Sequence, residues 1–88
     1  MKTEPNIIIL AGGVGAERDI SLLSGRALFE SLSPHFTTKL IDLTKRELPS
    51  GISANSDIIF PIIHGEFGED GELQALLDTE GIEYCGSG

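Results

Sequence analysis

The sequence predicts an α/β domain of three layers: a mostly parallel, open sheet of about four strands with helices on both faces. Three observations carry that expectation. Two apolar runs, Ile7 to Ala11 and Ile58 to Ile63, are nearly continuous instead of alternating, as in strands covered on both faces. Two other stretches, near 19–32 and 70–80, repeat their apolar residues at helical spacing. The connections are short and the order is β-α-β-loop-β-α-β, which favours parallel strands with helices packed on the sheet.

Asn6 to Ala11 forms the first expected strand, and a glycine loop follows from Gly12 to about Arg18. A helix is predicted from about Asp19 to Leu32. Ile20, Leu23, Ser24, Ala27, Leu28 and Ser31 share one face, assigned to the sheet. Leu22 and Phe29 then fall on the far side, as scattered surface apolars or as a docking surface for another domain or a second subunit. Ser33 ends the helix, because the residue before Pro34 is pushed out of the α region.

The second strand is predicted over Phe36 to Leu43. Leu48 to Ser56, rich in Ser, Gly and Pro, reads as a loop with at most one helical turn and no crossover helix. Asp57 to Ile63 is the third strand, where Pro61 suggests a bulge because proline cannot donate to the ladder. The second helix is predicted to start with Asp70 as its N-cap and Glu72 favourably placed by the helix dipole. Leu73, Leu76 and Leu77 form its core stripe, and Gly81 supplies the left-handed position at its end. Ile82 to Cys85 is a short last strand, with Cys85 as a small core residue. Gly86, Ser87 and Gly88 read as a linker into a following domain, so the chain reads as a fragment of a longer protein.

Eighty-eight residues make one small domain with a modest core. A net charge of −8 argues against nucleic acid and anionic membranes, both of which select Lys and Arg. The apolar runs are too short to cross a bilayer, and Met1 to Asn6 is polar, broken by Pro5 and unlike a signal peptide. With a single cysteine, the composition reads as cytoplasmic.

The candidate chemistry lies in the loops that end the first and third strands, because ligands in open α/β sheets sit at the carboxyl ends of strands. Gly13 and Gly15 supply two glycines of a dinucleotide fingerprint. Arg18 occupies the third position, where bulk obstructs close packing, and Glu17 would repel a pyrophosphate. Asp42, which ends the second strand, also lies further on than the ~20 residues of that fingerprint. Glu17 suits a cation better. Its carboxylate stands at a helix start, where dipole and amides keep it ionised, and it could hold an ammonium group. It could equally satisfy orphan N–H groups of the helix. His64 could donate to an oxyanion or a carboxylate, or hydrogen-bond to local backbone. The loop from Gly65 to Gly71 has no cysteine and no second histidine for a transition metal. Glu66, Glu69 and Asp70 could take a hard cation, although capping explains Asp70 more simply. Arg18 and Asp19 read as solvent-side decoration and His35 as surface. No serine lies in a nucleophile elbow.

Three stretches resemble the D-alanine–D-alanine ligase family. Gly12-Gly13-Val14-Gly15-Ala16-Glu17-Arg18-Asp19-Ile20-Ser21-Leu22-Leu23-Ser24-Gly25 resembles its opening motif. His64-Gly65-Glu66-Phe67-Gly68-Glu69-Asp70-Gly71-Glu72-Leu73-Gln74 resembles its second motif, and Gly81 to Gly88 resembles the close of its first domain. The resemblance covers essentially the whole chain, 1–88, in order and spacing. It implies a Rossmann-like, pre-ATP-grasp domain followed by two ATP-grasp domains that this chain does not contain. It implies an enzyme that activates one D-alanine as an acyl phosphate with ATP and Mg²⁺ (or Mn²⁺). A second D-alanine then attacks, giving the peptidoglycan dipeptide. It further implies that Glu17 holds the first D-alanine's ammonium, that Ile20 lines the pocket, that Ser21 starts the helix beside it and that His64 orients or polarises the substrate. Glu17 and His64 are thus the candidate catalytic residues, no metal ligand falls in this chain, and a homodimer is implied. Gly15 stands where the family usually has serine, which leaves the detail of the turn open.

Two alternatives follow. A ligase joining D-alanine to D-lactate or D-serine would share this domain, since the second substrate is chosen mostly elsewhere. A stand-alone small-molecule or partner-binding module without catalysis is the reading from another class. On the ligase reading, these 88 residues alone neither bind ATP nor form a peptide bond.

Overall fold

A computed structural model describes residues 6–13, 15–45, 47–49, 52, 57–63 and 71–85. The elements run β1 (Asn6–Gly12), α1 (Arg18–Leu32), β2 (Thr38–Leu43), β3 (Asp57–Ile62), α2 (Glu72–Thr79) and β4 (Glu83–Tyr84). The sheet order is β2-β1-β3-β4, and every pairing among the described residues is parallel.

β1 is central, and its apolar run is buried on both faces. Because side chains alternate along a strand, Ile9 and Ala11 meet α1, together with Leu40 of β2. Ile8 and Leu10 point the other way, into a cluster with Leu43, Ile59, Ile63, Leu73, Leu77 and Ile82. The two helices therefore cover opposite faces, which makes the three layers. Leu48 and Ile52 also pack against the α2-side cluster, so those described parts of the β2–β3 connection lie on that face.

The helix on the first face is rotated from its predicted setting. Its buried residues are Ser21 and Gly25, whereas Ile20 is 59% and Leu23 74% exposed. Leu22 and Phe29, expected on the far side, are half-buried. The reason is the distance of approach. A Cβ added at Gly25 would lie 2.6 Å from the Ala11 Cβ, so the helix sits too close for a larger side chain there. The large residues of α1 are displaced to its flanks and outer surface.

Four further expectations are corrected. β2 starts at Thr38, after a turn in which His35 and Phe36 both donate to the Leu32 carbonyl. Pro61 makes no bulge: the β1–β3 register runs unbroken from Asn6 and Asp57 to Ala11 and Ile62. The Ile59 carbonyl accepts from Cys85 N–H on the β4 side, and Pro61, two residues on, faces the same side beyond the last β4 pairing. Its missing N–H removes no ladder bond. Cys85 follows β4 and is exposed. The N-cap of α2 is Gly71 in a left-handed conformation (φ 87°); Asp70 lies outside the described residues.

The end of α2 follows expectation. Gly81 has φ 70°, Ile82 N–H donates to Leu77 and Gly81 N–H to Asp78. This is a Schellman motif, and its characteristic apolar contact is supplied by Ile82 and Leu77 in the core.

Candidate functional site

α1 leaves β1 for one face of the sheet, and α2 follows β3 on the other. β1 and β3 are neighbours, so their carboxyl ends flank a topological switch point, where ligands bind in folds of this kind. The glycine turn and the residue that follows β3 thus meet at the carboxyl end of the sheet. Gly13 and Ile63 mark the meeting point, since a Cβ at Gly13 would lie 2.9 Å from the Ile63 Cγ2.

Two successive glycines turn the chain there. Gly12 has φ 92° and Gly13 φ 99°, a region that strains any L side chain. Gly12 also lacks space, because an added Cβ would lie 2.5 Å from the Asp42 Oδ1 and 2.8 Å from an Arg18 nitrogen.

Glu17 is the N-cap of α1. Its backbone carbonyl accepts from Ser21 N–H, while its exposed side chain makes no capping hydrogen bond. The carboxylate is therefore left facing outward at the positive end of the helix. Ile20, three residues on, is its neighbour on the same helical surface and is also exposed.

Ser21 lies beneath them and is fully buried. Its hydroxyl accepts from Gly12 N–H at 2.8 Å and donates to the Ile62 carbonyl. It joins the end of β1 to the end of β3 and can act on the site by holding both strand ends to α1. His64 lies outside the described residues.

Arg18, read from sequence as decoration, is built into the turn. Its guanidinium reaches Asp42 at 2.5 Å, the Leu43 carbonyl at 3.2 Å and the Gly13 carbonyl at 3.3 Å. The hydrogen bond to Asp42 raises the Arg18 pKa above its usual range, so the group stays charged. Asp42, weighed from sequence as a ribose ligand, is occupied by Arg18. The available signal was a local conflict: a cation in the first turn of a helix opposes the helix dipole and implies a compensating partner.

Among the described residues no group of three His, Cys, Asp or Glu could hold a metal ion. No helix among them is long and apolar enough to cross a membrane.

Comparison with known proteins gives a consistent answer. The family model described as D-ala D-ala ligase N-terminus matches residues 47–87. A D-alanine–D-alanine ligase of Citrifermentans bemidjiense is 44% identical over 84 residues, covering 93% of this chain and 27% of that protein. One from Bordetella petrii is 42% identical over 81 residues, covering 91% and 25%. The crystal structure of D-alanyl-alanine synthetase A from Vibrio cholerae superposes with a TM-score of 0.78 at 29% identity, over 98% of this chain and 32% of that one. The D-alanine–D-alanine ligase from Aeromonas hydrophila gives 0.79 at 28%, over 94% and 38%. The chain spans about a quarter of the length of the curated relatives it matches. By a parallel β2-β1-β3-β4 sheet and by agreement over nine-tenths of its length, the chain is similar to D-alanine–D-alanine ligases, and it matches the family model of their N-terminus over residues 47–87.

Proposed function

We propose that this chain supplies the first D-alanine subsite of a D-alanine–D-alanine ligase, a cytoplasmic enzyme making the peptidoglycan dipeptide. The observation that carries the reading is Glu17: an N-cap carboxylate without a capping bond, exposed at the carboxyl end of β1 beside the switch point. A carboxylate so placed attracts an ammonium group. Ile20, exposed beside it, offers an apolar contact suited to a methyl side chain. Ser21 positions α1 under both, and His64, which directly follows the buried Ile63, is the second proposed catalytic residue.

The full-length protein is proposed to use ATP and Mg²⁺ held by following ATP-grasp domains, and to act as a homodimer. No step on this chain is assigned to them. The part of this chain is to bind and orient the amino end of the substrate.

In the full-length enzyme, Glu17→Gln should weaken the first D-alanine by about 2–5 kcal/mol, the cost of breaking a desolvated charge pair. The measurement is the apparent KM for that substrate, and an unchanged value would remove Glu17 from the site. While Glu17 faces water, such a pair contributes under about 1 kcal/mol, so the 88 residues alone should bind D-alanine weakly and show no ligase turnover.

A further inference from the structure

We infer that Arg18 and Asp42 form a latch that sets the position of the Glu17 carboxylate, making both of them positioning residues for the ammonium subsite. The inference rests on the subsite reading above and adds two residues to it. Arg18 immediately follows Glu17 in the chain and begins α1. Its guanidinium spans from the glycine turn, at the Gly13 carbonyl, to the end of β2, at Asp42 and the Leu43 carbonyl. The Leu43 carbonyl also accepts from Gly13 N–H at 2.7 Å. One side chain thus ties the turn, the first turn of the helix and the edge strand together around Glu17.

Two further observations point to positioning instead of stability. The ion pair is partly exposed, with side-chain exposures of 34% and 47%, and pairs of that kind contribute little to folding. The cation also stands at the unfavourable end of α1, a local cost that makes sense where the charge is needed in place. Asp42 fixes the fork of the guanidinium at the end of β2.

The test uses the full-length ligase with Arg18→Gln, Asp42→Asn, the double variant, and Glu17→Gln as the reference. Each latch variant should raise the apparent KM for the first D-alanine between about tenfold and a hundredfold, the range that small misplacements produce. kcat and the melting midpoint should stay near wild type. The double variant should be no worse than the worse single, because the two residues act as one unit. A folded Asp42→Asn enzyme with wild-type KM overturns the latch, as do single effects that multiply in the double. If Glu17→Gln raises KM and the latch variants do not, only the latch falls. If Glu17→Gln leaves KM unchanged, the subsite reading falls as well.

Discussion

The two helices cover opposite faces of one sheet by opposite means. α1 has 15 residues and buries Ser21 and Gly25; α2 has eight and buries Leu73 and Leu77. The shorter helix closes the larger apolar cluster, with Ile8, Leu10, Ile59, Ile63 and Ile82. The longer one approaches the sheet on small residues and a buried hydroxyl. Burying large side chains stabilises in proportion to area, whereas small residues at a contact allow closeness and so fix position. The α2 face thus holds the fold together, and the α1 face sets where Glu17 stands.

Substitutions can break this contrast, and their expected effects fall in order. Leu77→Ala opens a cavity among fully buried residues and should cost about 2–5 kcal/mol, read as a lower urea midpoint. Ser21→Ala strands the Gly12 N–H and the Ile62 carbonyl, at a cost of about 1–3 kcal/mol. It should also raise KM for the first D-alanine, which Leu77→Ala should not do in the folded enzyme. Gly25→Ala pits the better helix propensity of alanine, about 1 kcal/mol, against overpacking of about 1–3 kcal/mol, since the Ala11 Cβ lies 2.6 Å away on a central strand. A net loss of up to about 2 kcal/mol is expected; a gain would show that α1 can lift off the sheet freely. Leu23→Glu, on the outer surface of α1, should change stability by less than about 0.5 kcal/mol. A larger loss would mean that this surface is covered in solution.

Much of the architecture was legible in sequence because it rests on local rules. The Ile7 to Ala11 run announced a doubly covered parallel strand, Pro34 a helix end and Gly81 a left-handed cap, and the structure has all three, although Ser33, expected outside the α region, keeps α-helical angles (φ −62°, ψ −29°). The glycine turn and the place of Glu17 at the start of α1 were legible for the same reason. The rotation of α1 was not. The hydrophobic pattern favours Ile20 and Leu23 as core, but burial was decided by how closely the helix backbone approaches Ala11. Asp70 as N-cap was a sound local expectation, and the backbone placed Gly71 there instead.

What the sequence by itself determined is the set of elements, their parallel order and the loops that carry the candidate chemistry. Periodicity, caps and glycine conformations act within a few residues of the chain, which is why they can be read directly. Only the tertiary structure decided that Ser21 joins Gly12 to Ile62 and that Arg18 clasps Asp42. Those partners are brought together by the parallel register of β2, β1 and β3. Side chains far apart in sequence meet only once strand order and the seating of the helix have set the distances between them.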